Sequence, residues 1–171
     1  AAMPSATQLR YGPDFRSRPS DDSDVASPAM CTAVVPSRRR VAVPNVDLAR
    51  MRALFKELFA RGTNYKETGG IHAAAITDGE SLLYHAEDIG RHNAVDKVIG
   101  AAILDGRSPA DLILLVTGRI SGELAFKAAR ARIGLVATPS VPSTMAVDIA
   151  KATGMGLVGR AVSGTPQLHQ S

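Results

Sequence analysis

With 171 residues, 45% of them hydrophobic, the chain is long enough to bury one ordinary core, and a single domain is the default. That core must be built from Ala, Val, Leu and Ile, because Trp is absent and aromatics make up only 4% of the chain. A formal charge of +4, much of it from arginines before Gly62, permits an anionic partner without demanding one, and no apolar run is long enough for a membrane span.

Residues 1–30 carry Pro4, Gly12, Pro13, Pro19 and Pro28 and the acidic run Ser20 to Asp24. So little apolar surface cannot offset chain entropy, so this tract is expected to be disordered or extended. Residues 31–45, bounded by Pro36 and Pro44, read as a loop or short edge strand. The first boundary therefore falls at 1–45, with an α/β domain over 46–171. The opening residues lack a charged segment followed by an apolar one, so no secretory signal and a cytoplasmic location are expected. The one cysteine, Cys31, excludes an internal disulfide and a multi-thiolate zinc site. It is either a small buried hydrophobe or an exposed nucleophile, and Arg38 to Arg40 would favour its thiolate.

Leu48, Met51, Leu54, Phe55, Leu58 and Phe59 recur at helical spacing, which predicts a helix over 47–60, capped by Asn45 or Asp47 and ended by Gly62. Ile71 to Thr77 and Leu82 to His85 read as antiparallel strands around the turn Asp78-Gly79-Glu80. His72 and His85 fall on neighbouring strands and could face each other, though each is more often an ordinary structural histidine than a catalytic one. A helix over 91–104 buries Ala94, Val95, Val98, Ile99, Ala102 and Ile103. Next come a buried strand at 112–116, a helix from Ser121 or Gly122, a strand at 135–138, a helix over 143–153 capped by Ser143, and a strand at 156–159. Residues 162–171 read as a loose tail. Strands alternating with helices argue a layered α/β sheet with right-handed crossovers.

In such sheets ligands collect at the carboxyl ends of strands. Gly90-Arg91-His92, Thr117-Gly118-Arg119 and the segment from Gly159 onward all fall there. Glycine admits a ligand close to the backbone, and arginine offers a planar fork for phosphate or carboxylate. At Glu87 to Gly100 two readings stand side by side. The first helical turn, with Arg91 and His92 beside it, would suit an anion. Alternatively, Glu87 and Asp88 complement the helix dipole while Asp96 and Lys97 are merely solvated. For an enzyme of another kind, Glu87 and His92 would be the best acid–base candidates.

Thr68 to Ala74, the block Glu87-Asp88-Ile89-Gly90-Arg91-His92-Asn93-Ala94-Val95-Asp96-Lys97-Val98-Ile99-Gly100, Thr117 to Glu123, Lys127-Ala128 and Leu157-Val158-Gly159 resemble the FdhD family of formate dehydrogenase accessory sulfurtransferases. The resemblance runs from about residue 47 to 160. It implies a cytidine-deaminase-like α/β/α mixed sheet, without the deaminase chemistry. It also implies a sulfur carrier that takes sulfur from a cysteine desulfurase to molybdenum bis(molybdopterin guanine dinucleotide) before that cofactor enters formate dehydrogenase. Cys31 would be the catalytic persulfide carrier. The guanine-nucleotide cofactor would bind at Gly90, Arg91, His92, Gly118, Arg119, Arg160, Ala161, Val162, Ser163, Gly164 and Thr165. A homodimer is implied, with neither a membrane nor a nucleic acid as partner and with no metal site of its own. Where the family shows a Cys-Gly-x-Cys-Gly loop, this chain has Cys31 alone, followed by Thr32. A cofactor-holding chaperone that moves no sulfur, or another nucleotide-binding α/β protein, are the alternatives.

Overall fold

The computed structural model describes residues 47–62 and 70–169. Cys31, the 1–45 tract and the Thr68-Gly69 pair lie outside the described residues. The elements in chain order are α1 (Leu48–Arg61), β1 (His72–Thr77), β2 (Leu82–Asp88), α2 (Arg91–Leu104), a 3-10 turn (Pro109–Asp111), β3 (Ile113–Val116), α3 (Gly122–Arg130), β4 (Leu135–Ala137), α4 (Thr144–Thr153), β5 (Gly156–Gly159) and β6 (Gln167–His169).

The six strands form one mixed sheet in the order β2-β1-β3-β4-β5-β6. Strand β1 is antiparallel to both β2 and β3, whereas β3, β4 and β5 are parallel to one another. Strand β2 therefore points the same way as β3, β4 and β5. Strands β3, β4 and β5 carry no polar residue and are buried at every position, as a strand covered on both faces must be.

Two separate cores lie on the two faces. Helix α1 covers one, setting Met51, Leu54, Phe55 and Leu58 against Ala73, Ala75, Ile113 and Leu115. Helices α2, α3 and α4 cover the other, over Ala74, Ile76, Leu114, Val116, Val136 and Leu157. The alanines of β1 leave room for helices on both sides without widening the layers. The expected α/β/α layering thus forms, with one helix on one side and three on the other among the described residues. Ser121 and Ser143 cap α3 and α4 by accepting from the N–H groups of Leu124 and Ala146.

Several expectations need correction. Asp47 precedes α1 but makes no side-chain cap. The supposed loose tail contains β6, which pairs antiparallel with β5 through Leu157↔His169 and Gly159↔Gln167. Its short polar composition hid it. Strand β2 runs on to Asp88, carrying the chain to the lip of the sheet. His72 and His85 do not face each other: His72 is paired with Asp88 and His85 with Ala75. His72 is an even position of β1, whereas His85 on β2 stands opposite the odd position Ala75, so their side chains take opposite faces. Phe59 and Ile103, assigned to buried stripes, are 48% and 57% exposed.

Candidate functional site at the carboxyl edge of the sheet

Because β2, β3, β4 and β5 share a direction, their carboxyl ends open on one edge, together with the amino end of β1. Gly90-Arg91-His92, Thr117-Gly118-Arg119, Thr138-Pro139-Ser140 and Gly159-Arg160 all emerge there. Half-buried Thr117 and buried Thr138 pin these turns to each other. The Thr117 backbone N–H and hydroxyl donate to Ala73 O (3.0 and 3.2 Å), and Ala73 N donates back to Thr117 Oγ1 at 3.0 Å. Thr138 Oγ1 donates to Gly118 O at 2.8 Å and accepts from Ser140 N at 3.0 Å. The loop after β3 is thereby tied to the loop after β4.

The two readings of the Glu87–Gly100 block divide between its residues. Asp88 is structural: its Oδ1 accepts from Gly90 N at 2.9 Å and from Asn93 Nδ2 at 3.1 Å, and its Oδ2 pairs with Lys97 at 2.7 Å. Lys97 Nζ also donates to Glu87 O at 3.0 Å. Asp96 pairs with Lys127 at 2.6 Å, and the same ammonium donates to His92 O at 3.5 Å, tying the first turn of α2 to α3. Gly90 has a φ of −92°, so close approach and not handedness explains it: a Cβ there would lie 3.1 Å from Asn93 Nδ2.

The Lys97 ammonium, then the Gly90 N–H and the Asn93 amide, hold the Asp88 carboxyl down at about 2, against an ordinary value of 3.8. A depressed carboxylate stabilises the fold fully above its unfolded value, and that contribution disappears as pH falls through the folded one. Wild type is therefore expected to lose stability between about pH 4 and pH 2 more steeply than Asp88→Asn, measured by urea unfolding across that range.

The arginines behave differently. Arg50, Arg61, Lys97 and Lys127 are each paired with a carboxylate. Among the described residues, no hydrogen bond or ion pair engages the guanidinium of Arg91, Arg119 or Arg160, and Arg91 Nε is buried without a partner. Arg91 lies on the first residue of α2, and its Cδ would stand 3.4 Å from a Cβ at Gly118. The structure thus brings Gly118 and Arg91 together. Arg119 is exposed beside them, in the connector before the Ser121 cap rather than at a helix start.

Arg160 belongs to another part of the edge. It follows β5, two strands beyond β3, at whose carboxyl end the Arg91 side chain meets Gly118. Arg160 takes a left-handed φ of 52°, held by Arg160 N donating to Ser140 O at 2.7 Å, while its carbonyl accepts from Ser163 N and Oγ. Such a conformation costs a non-glycine residue about 1–2 kcal/mol. Val162, Gly164 and Thr165 are exposed on this turn, with Ser163 half-buried. Ala161 is not on the surface. Its methyl is fully buried in the core beneath α1, and its N–H donates to Thr138 O. Any role of Ala161 toward a ligand is confined to shaping the turn.

His92 Nε2 lies 3.8 Å from Glu123 on the α3 side, whereas a Glu87 oxygen lies 3.0 Å from where a Gly62 Cβ would be, on the α1 side. The candidate acid–base pair Glu87 and His92 is not assembled. No group of three or more His, Cys, Asp or Glu among the described residues is placed to hold a metal.

What sequence reasoning missed is a cleft of about 430 Å³ at the same edge, between the end of α1 and the start of β1. Phe59, His72, Glu87, Thr117 and Pro139 are among its walls. The half-exposed Phe59 is explained by this position. The signal lay in the glycines: Gly62 and Gly70 line the cleft, and a Cβ on Gly118, which follows the lining residue Thr117, would press on His72 at 3.1 Å.

The comparisons agree with this architecture. Two proteins from Staphylococcus aureus strains JH9 and Newman, each described as sulfur carrier protein FdhD, are 44% identical to this chain over 95 residues. That alignment takes in 56% of this chain and 36% of each relative, so the chain spans about a third of the length of the curated relatives it matches. A crystal structure from Desulfotalea psychrophila, described as a candidate formate dehydrogenase accessory protein, superposes with a TM-score of 0.72 at 25% identity, over 80% of this chain and 59% of that one. The family model for FdhD/NarQ proteins matches residues 24–170, and the chain belongs to the FdhD/NarQ family.

Proposed function

We propose that this chain is a sulfur carrier serving formate dehydrogenase. It would act in the cytoplasm as a homodimer, taking sulfur from a cysteine desulfurase to molybdenum bis(molybdopterin guanine dinucleotide). In the first step the Cys31 thiolate attacks the outer sulfur of the donor's persulfide. A new sulfur–sulfur bond forms on Cys31 while the donor's breaks, and the donor leaves as a thiolate. The cofactor, as substrate, lies along the carboxyl edge with its phosphates toward Arg91 and Arg119 and its far end toward Arg160.

The observation that carries this reading is that Arg91, Arg119 and Arg160, none with a hydrogen bond or ion pair at its guanidinium among the described residues, stand on that one edge, with Arg91 Nε buried. Three cations left open on a ligand-facing edge match a polyanion better than a neutral metabolite. Titration calorimetry of the chain with GDP and with ADP tests it. Tighter binding of GDP is expected. Equal affinities, or a preference for ADP, would favour another nucleotide-binding protein.

A second reading rests on Cys31 being the only cysteine, where the family shows two. In that reading the chain holds the cofactor and moves no sulfur. Cys31→Ala would then leave formate dehydrogenase activation in cells intact, and its loss would exclude this alternative.

A further inference from the structure

Two side chains of the carboxyl edge present donors with nothing to receive them. His72 lines the cleft and is partly buried, yet neither ring nitrogen makes a hydrogen bond or ion pair among the described residues. Arg91 Nε is buried and equally unserved. Both crowd the same point: a Cβ placed on Gly118 would lie 3.1 Å from His72 Nδ1 and 3.4 Å from Arg91 Cδ. Thr117 and Thr138 spend their hydroxyls on main-chain partners, and Asp88 is bound three times over. Buried polar groups are nearly always paired, so the buried Arg91 Nε calls for an acceptor from outside the chain, and the half-exposed His72 ring stands beside it to share that acceptor.

His85 is the useful contrast. Its Nε2 is also buried and without a partner, but it stands opposite Ala75, on the α1 face of the sheet and away from Gly118. Burial first, and the charge of Arg61 after it, push its imidazole toward the neutral form, partly opposed by Glu87. It belongs to the packing of β2. His72 has the cleft on one side and Arg91 on the other.

We infer that His72 and Arg91 together hold one phosphoryl-type oxyanion across Gly118, making the cleft and the arginine edge a single continuous ligand site. A neutral imidazole offers one N–H whichever tautomer it takes, and the guanidinium offers a fork, so both contacts point donors at the same oxygen group. Gly118 has no Cβ because that volume is needed for the two side chains to close on the ligand. His72 is thus a ligand-contacting residue, in addition to the arginines. This rests on the nucleotide-cofactor reading for the ligand's identity but not for its charge.

The test is side-chain nitrogen NMR of histidine-labelled full chain, titrated separately with sodium pyrophosphate and with GDP, with calorimetry on the same samples. Pyrophosphate is expected to shift the His72 signals saturably. Arg91→Ala should weaken that binding about tenfold or more, and His72→Asn should weaken GDP binding by several-fold, as loss of a hydrogen bond to a charged group does. Arg91→Lys keeps the charge and checks that any loss is not a folding defect. Binding of either probe without a shift at His72, or no shift with either probe, would overturn the inference. If pyrophosphate shifts His72 but GDP does not bind, the oxyanion site stands and the guanine-nucleotide reading falls.

Discussion

Phe55→Ala is expected to lower the unfolding free energy by about 3–5 kcal/mol, the range for removing a fully buried aromatic side chain. Phe55 is 0% exposed and sits where α1 meets the alanines of β1. Ala73 and Ala75 cannot move to fill the space, and Leu54 and Leu58 are already committed to the same core. Phe59 is in ring contact with it, at 6.2 Å between centroids, but lies on the cleft and is too exposed to take its place. A urea midpoint that falls with an unchanged slope would show the loss as one of stability alone. By comparison, Leu104→Ala at an 89% exposed position should stay within about 0.5 kcal/mol. A Phe55→Ala protein as stable as wild type would mean that α1 is not part of the cooperative fold.

Arg91→Ala is expected to do the reverse, costing ligand affinity and leaving stability intact. Its side chain makes no ion pair or hydrogen bond among the described residues, so nothing in the fold is left unsatisfied when it goes. A charge-assisted hydrogen bond to an anion contributes about 1.5–3 kcal/mol, or roughly 10- to 100-fold in affinity. Calorimetry with GDP reads the loss, and thermal melting reads the unchanged fold. Lys127→Ala is the informative comparison. Its bond to Asp96 ties α2 to α3, so it should lower stability slightly and act on affinity only through the position of the first turn of α2. Equal affinity for GDP in wild type and Arg91→Ala would remove Arg91 from the site.

Most of the fold was legible in the residues because its signals are strong. The apolar run at Ile113 to Val116 and the periodic stripes of α1 and α2 have few other interpretations. Strand β6 was not legible. Three residues reading Gln167-Leu168-His169 have no alternation to find, and only the open edge of β5 makes them a strand. Register was invisible too, so whether His72 and His85 face each other stayed open: the pairing of His72 with Asp88 depends on the hairpin turn and on the irregularity between Ile76 and Thr77. The edge itself was readable from Gly90-Arg91 and Thr117-Gly118-Arg119. Its depth was not, because a cleft is made by tertiary packing of α1 against the mouth of β1. The block at Glu87 to Gly100 had two defensible meanings, and side-chain partners separated them. Asp88, Asn93 and Lys97 build the turn, while Arg91 is left open to a ligand.

The central claim is that Cys31 carries sulfur for a cofactor held on this edge, and mass spectrometry tests it most directly. The chain is incubated with an active cysteine desulfurase and cysteine, then measured intact and after peptide mapping. The account predicts the gain of one sulfur atom, located on Cys31 and released by a thiol reductant. An unchanged mass beside a demonstrably active desulfurase would contradict it.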